Sequence, residues 1–141
     1  MKYYILEPEV AGSLGKWTVI NRGVHPPDVK TLDYEFDGWL GDVLLESFPC
    51  FIATIDAVKE LQSLPATGVR FDDVRITKSV QFQEMYPDRV LPTFKWLKVS
   101  GQAGIEDMGL AGDLRLVVSD RVLNALKPLG LSNAVIQNFE P

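Results

Sequence analysis

The chain has 141 residues, enough for one domain whose core needs neither a disulfide nor a metal for stability. Its formal net charge of −5 disfavours nucleic acid or an anionic membrane surface as the main ligand, because both attract cationic surfaces. A single cysteine, Cys50, and a single histidine, His25, exclude an intrachain disulfide and a cysteine-based zinc site. We therefore expect no metal and no cofactor.

The beginning of the chain predicts a first strand at residues 3–6. Glu7 and Pro8 end this apolar run too early for the core of a signal peptide. No run of ~18 apolar residues is present, so the sequence predicts no transmembrane helix. These features together favour a cytoplasmic protein.

Extended structure is predicted next. Residues 17–20 are aromatic and β-branched, which is typical of a strand. Residues 25–28 contain two prolines and predict a loop. Residues 32–37 alternate strictly between apolar and acidic side chains, the pattern of a strand with one buried face. A single helical turn is expected at residues 42–46, with Asp42 at its start.

A strand, a helix and a second strand are predicted between residues 51 and 71. Thr54 is a favourable N-cap residue. Apolar residues then recur every third position, which predicts an amphipathic helix near residues 55–64. Pro65 and Gly68 end this helix. The following interval, residues 78–112, is rich in proline and glycine, and we expect a loop or lid there with one strand at residues 94–99.

Residues 116–136 repeat this strand–helix–strand pattern with a constant offset of 65, including Ser119 as the cap and a helix near residues 120–127. Two leucine pairs are identical, Leu61 with Leu126 and Leu64 with Leu129, and Asn133 takes the place of Gly68, where a positive φ is expected. The sequence thus predicts a single α+β domain over residues 1–141. It contains a mixed or antiparallel sheet, a few short helices and two repeated strand–helix–strand units, 51–71 and 116–136.

Five acidic residues between positions 31 and 50 account for the whole excess of 19 acidic over 14 basic residues. They are Asp33, Glu35, Asp37, Asp42 and Glu46. The first three lie on one face of the predicted strand, and three ionised carboxylates are not expected to be buried together without partners. They face water, a basic protein surface or a cation, although their spacing is not that of a calcium-binding loop. A glycosidase-like pair of Asp37 with Asp42 or Glu46 is a further alternative.

Trp39 lies among these acids between Gly38 and Gly41. An aromatic residue within a charged rim is typical of an interface hot spot, and packing on its own sheet is the alternative. His25 suits a general base, but no nucleophile can be recognised near it in the sequence, and an exposed loop histidine is the simpler interpretation. We predict that no residue is catalytic and that the protein is not an enzyme.

Two segments, YEFDGWLGD at residues 34–42 and LESFPCF at residues 45–51, resemble a group of uncharacterised bacterial proteins. That group is similar to the polymorphic-toxin immunity proteins of immunity family eleven and to their relatives with a double CxxCG motif. The CxxCG pairs are absent here, so a metal role of those relatives does not carry over. The resemblance implies a binding protein without catalytic residues that neutralises a toxin encoded nearby.

The leading hypothesis is therefore an immunity protein that docks on a basic surface of its cognate toxin. The predicted contact residues are Asp33, Glu35, Asp37, Trp39, Asp42 and Glu46. Charge complementarity of this kind speeds association and suppresses wrong partners. The alternative hypothesis is a small-molecule-binding domain or an enzyme whose pocket lies near residues 78–112 and uses Asp37 or His25.

Overall fold

The computed structural model describes residues 1–140, which form an α+β fold of thirteen strands and three short helices. In chain order these are β1 (Tyr3–Glu7), β2 (Gly12–Leu14), β3 (Val19–Asn21), β4 (Asp28–Thr31), β5 (Asp33–Phe36), β6 (Leu44–Ser47), β7 (Cys50–Thr54), α1 (Ile55–Ser63), β8 (Val69–Asp72), β9 (Arg75–Lys78), α2 (Val80–Met85), β10 (Phe94–Val99), β11 (Met108–Leu110), β12 (Leu116–Ser119), α3 (Asp120–Gly130) and β13 (Val135–Phe139). The predicted α+β class, with its two helices near 55–64 and 120–127, is confirmed.

Two four-stranded sheets have the same plan. One has the order β6-β7-β10-β8 and the other β11-β12-β1-β13, and all their pairings are antiparallel. Because β7 and β8 both pair with β10, they run parallel to each other, and α1 is the crossover between them. Likewise α3 connects β12 to β13 across β1. Each sheet with its helix is thus a split βαβ unit. We call β6, β7, α1, β8 and β10 the first split unit, and β11, β12, α3, β13 and β1 the second.

The two split units also share their register. In the first, Trp96 lies between Ile52 and Asp72, and in the second Ile5 lies between Val117 and Gln137. The two strands that flank the central strand, β7 and β8 in the first unit and β12 and β13 in the second, keep the offset of 65 found in the sequence. The central strand β1 corresponds to β10 at an offset of 91, a relationship that the sequence analysis did not detect. The predicted repetition is confirmed and extends to four strands and one helix.

Both crossover helices begin in the way the sequence predicts. The hydroxyl oxygens of Thr54 and Ser119 accept hydrogen bonds from the amides of Ala57 and Val122, which satisfies one free amide at each helix start. The ends differ, because α1 stops at Ser63 before a proline, whereas α3 continues through Pro128 to Gly130. Pro128 has no amide hydrogen, so α3 lacks the backbone hydrogen bond that this residue would otherwise donate to the preceding turn.

One hydrophobic core is shared by the two split units. Equivalent positions of both contribute to it: Leu44 and Met108, Phe51 and Leu116, Ala53 and Val118, Ala57 and Val122, Val58 and Leu123, Leu61 and Leu126, Leu97 and Leu6. Leu61 and Leu126 are fully buried, as the repeat predicts. The last leucine pair is less well matched, since Leu64 packs against the core while Leu129 is exposed.

A second core lies on the other face of the first split unit. A three-stranded sheet, β2-β5-β9, and helix α2 cover that face. The apolar half of the alternating segment, Leu32, Tyr34 and Phe36, is buried there, as predicted. A separate hairpin of β3 and β4 completes the chain's strand pairs.

Three local expectations were wrong. Residues 44–47 form strand β6, so no helical turn begins at Asp42. Residues 78–112 contain α2 and β11 in addition to the predicted strand. Gly68 has the expected positive φ of 82°, but Asn133 does not have a positive φ. Among residues 1–140, no helix is both long and apolar enough to cross a membrane.

Candidate functional site

Asp33 is a structural carboxylate and does not face water, which contradicts the expectation for the acidic strand face. It is 1% exposed, and its carboxylate accepts hydrogen bonds from the Thr77 hydroxyl at 2.8 Å and the Trp17 amide at 3.3 Å. A side chain at Gly15 would overlap the Asp33 carboxylate and displace it from its hydrogen bonds. The alternating pattern missed this burial because both donors are distant in the sequence.

Asp42 is also buried and structural. Its two carboxylate oxygens accept hydrogen bonds from the amide and the side-chain amide of Asn133, each at 2.9 Å. This contact joins the segment before β6 to the loop after α3, 91 residues away. Because Asp42 is buried and both of its carboxylate oxygens accept hydrogen bonds, it does not belong to the predicted partner surface or to a catalytic pair with Asp37.

The remaining predicted contact residues lie in different places. Asp37 is exposed and Glu35 is half-buried on β5. Glu46, half-buried on β6, lines a pocket that contains neither Asp37 nor Trp39. The six predicted residues therefore do not form one continuous acidic patch. Only Asp37 and Trp39 line a common surface depression.

The turn that carries Trp39 is fixed by a residue that the sequence analysis did not single out. The buried carboxylate of Glu9 accepts hydrogen bonds from the amides of Leu40 at 2.6 Å and Asp42 at 3.2 Å. Burial raises the pKa of Glu9, while these two amides oppose the rise. Two charge-assisted hydrogen bonds hold the turn in one conformation.

Trp39 is largely integrated into the fold. Its indole nitrogen donates to the Asp42 carbonyl at 2.9 Å, and its ring packs edge-on against Phe94 at 5.9 Å between centroids. The Arg89 guanidinium lies over the same ring, 5.1 Å from its centroid. Packing on its own sheet thus describes Trp39 better than a free anchor does.

The exposed part of the turn is Leu40. It is 73% exposed, and Val10, 67% exposed, lines the same depression of about 280 Å³. We call the residues that border it the Leu40 surface: Val10, Asp37, Trp39, Leu40 and Tyr86. The glycines on both sides of a Trp-Leu pair were the sequence signal for this apolar turn. No comparable signal marked Val10 or Tyr86.

The interval predicted to hold an alternative pocket does contain an open depression of about 1000 Å³. It is bordered by β9, α2 and the segment 86–92, and its charged residues are Lys78, Asp88 and Arg89. The Lys78 ammonium donates to the Arg89 carbonyl at 3.0 Å. Neither Asp37 nor His25, the predicted reactive residues, borders this depression. No residue that lines this depression therefore forms a catalytic pair with Asp37 or His25 inside it.

The remaining reactive candidates are isolated from one another. His25 is exposed in its loop, and Cys50 is buried, which raises the pKa of its thiol to about 12. Such a thiol is a poor nucleophile because little thiolate is present near neutral pH. Within residues 1–140, no three histidine, cysteine or acidic side chains come together as a metal-binding group.

No protein-family model matches the chain, and no curated protein matches its sequence.

Proposed function

We propose that this protein acts by binding another protein through the Leu40 surface. The observation that carries the proposal is a rigid turn that presents an apolar side chain to water. Exposed apolar residues are common singly, but here the exposed Leu40 and Val10 line one depression together with the half-buried Trp39 and the exposed carboxylate Asp37. An apolar centre with a polar rim is the composition of a protein interface.

Rigidity supports the same proposal. Because Glu9 and Trp39 fix the turn through hydrogen bonds, binding would order few additional side chains. A preorganised surface loses less conformational entropy on association. A turn held this firmly is also poorly explained as a simple connection, since a connection between β5 and β6 needs no buried carboxylate.

The class of partner follows from the resemblance to immunity family eleven. We propose that the partner is a cognate toxin with a basic surface. The net charge of −5 favours a basic partner, and Asp37 contributes one exposed carboxylate beside Leu40. A small-molecule site in the depression at residues 76–92 is the second candidate, and it has less support because none of its lining residues forms a catalytic pair with Asp37 or His25.

The test is a binding titration against the product of the adjacent toxin gene. Leu40→Ser should weaken binding about tenfold or more, the loss typical of a hot spot. Ile105→Ser is the matched control, because Ile105 is 66% exposed on another part of the surface and should change affinity little. Asp37→Asn should slow association mainly at low salt. Equal losses for Leu40→Ser and Ile105→Ser would contradict the proposal.

A further inference from the structure

A separate pocket of about 190 Å³ lies between the β3–β4 loop, the β6–β7 hairpin and β10. Apolar groups make up most of its wall, among them Pro26, Pro27, Phe48, Cys50, Leu110 and Leu114. Ligand sites of drug-sized molecules are usually about 300–1,000 Å³. The occupant of this pocket is therefore small and carries a short apolar body.

Two charged residues, Glu46 and Lys98, line this pocket. The Lys98 ammonium is already neutralised, since it pairs with Asp72 at 3.0 Å and lies 4.3 Å from the centroid of the Trp96 ring. Within residues 1–140 the Glu46 carboxylate makes no hydrogen bond and no ion pair. The uncompensated charge at this pocket is therefore negative.

The environment of Glu46 makes a cation favourable there. The side chain is half-buried, and burial, followed by the nearby Glu7 carboxylate, raises its pKa. The oxygens of this carboxylate remain open to water, and a cationic ligand would replace that water and stabilise the partly desolvated charge. A divalent metal is excluded as the occupant because one carboxylate in an apolar wall supplies too few oxygen ligands for calcium or magnesium.

We propose that this pocket binds an organic ammonium ion on a short alkyl chain, with Glu46 as its counter-ion. The alkyl chain lies against Phe48, Pro26 and Pro27. The ammonium group pairs with Glu46 through a charge-assisted hydrogen bond. The same chemistry is presented by a free alkylamine and by a lysine side chain of another protein.

The test compares n-pentylammonium with the neutral n-pentanol by following amide chemical shifts in NMR titrations of the whole chain. The amine should bind about tenfold more tightly than the alcohol, as expected for a hydrogen bond to a charged group. The shifts should centre on Glu46, Phe48 and Cys50. In Glu46→Gln the preference for the amine should disappear, whereas Glu35→Gln, a half-buried carboxylate outside the pocket, should keep it.

A capped lysine, Nα-acetyl-lysine methylamide, distinguishes the two sources. If it binds as n-pentylammonium does, the site accepts a lysine side chain, and if only the free amine binds, the site is specific for small amines. Either result supports the proposal. Equal affinity of amine and alcohol for the wild-type protein would overturn it, as would a preference that survives Glu46→Gln, and the wild-type comparison holds even if that variant does not fold.

Discussion

The two split units share strand order, register and helix caps, but each binds the other through a different carboxylate contact. Asp42, before β6, accepts two hydrogen bonds from Asn133. Asp107, before β11, accepts from Thr67, Ser119 and the guanidinium of Arg121. The first contact pairs a carboxylate with an amide, and the second contains an ion pair. The position equivalent to Arg121 is Asp56, so the ion pair has no counterpart.

The outer faces of the two split units differ even more. The first is covered by β2-β5-β9 and α2, from whose connections the Leu40 surface arises. The second is covered in part by a loop, because the backbone of residues 101–103 lies directly against Gly109. The duplicated elements build the shared core, whereas the unduplicated ones build much of the second core and carry the proposed binding surface.

The strongest test of equivalence is the core. Leu61→Ala and Leu126→Ala should each lower the free energy of unfolding by about 2–5 kcal/mol, since both leave a cavity at the same place in their units. Leu129→Ala should cost much less, because Leu129 is exposed. Denaturant unfolding measures all three. If the losses in unfolding free energy of Leu61→Ala and Leu126→Ala differ as much as those of Leu126→Ala and Leu129→Ala, the two units are not energetically equivalent.

The carboxylate contacts should differ in strength. Asp107→Asn should cost about 2–3 kcal/mol, because hydrogen bonds to a charged group are lost and an arginine partner is left uncompensated. Asp42→Asn should cost less, about 1–2 kcal/mol, since its two donors are neutral amides and no cation is left without a partner. Thermal unfolding of both variants gives the comparison. An equal cost would mean that the ion pair adds no stability.

The acid sensitivity of the fold should depend on the second contact. Hydrogen bonds from Arg121 hold the pKa of Asp107 well below its ordinary value of 3.8. The unfolded chain therefore binds the proton more readily, and this contribution to stability is full above about pH 5 and declines as the pH falls further. Unfolding measured between pH 5 and 2 should show a steep loss in the wild type. Asp107→Asn should flatten it, and an unchanged slope would contradict the assignment.

The acidic strand face should divide into structural and surface residues. Asp33→Asn should lower stability by about 1–2 kcal/mol, because the amide replaces a charged acceptor of the Thr77 and Trp17 hydrogen bonds. Asp37→Asn should leave stability within about 0.5 kcal/mol, as is usual at exposed positions. The melting temperatures of the two variants test this division. A lower melting temperature for Asp33→Asn alone supports it, whereas unchanged melting temperatures for both variants would indicate that the whole face is solvated.

Local patterns in the sequence predicted the repeat well. In each unit a cap residue, Thr54 or Ser119, directly precedes apolar residues at helical spacing. The cap and the apolar pattern therefore lie within one short segment of sequence, where a local pattern can be recognised. The equivalence of β1 and β10 cannot be recognised from chain order, because β1 comes before the helix of its unit and β10 comes after the helix of its unit. It appears only through pairing with β12 and β7.

The candidate site was predicted less well, for a related reason. The sequence predicts that Asp33 and Asp42 are exposed because charge normally indicates exposure, but both are buried by hydrogen-bond donors that are far away in the sequence. The pair of glycines around Trp39 and Leu40 correctly marked an unusual turn. Which of its two apolar residues is exposed depends on Phe94, Arg89 and Glu9, and no local pattern contains that information.

Hydrogen exchange of the protein, alone and bound to the toxin partner proposed above, tests the central claim most directly. We predict that binding slows amide exchange in residues 9–12 and 37–41, which contain all of the Leu40 surface except Tyr86. Exchange in residues 101–107, of which 101–103 lie against Gly109 of the second split unit, should be unchanged. Slowed exchange in residues 101–107 with no change at residues 37–41 would contradict the assignment of binding to the unduplicated part of the fold.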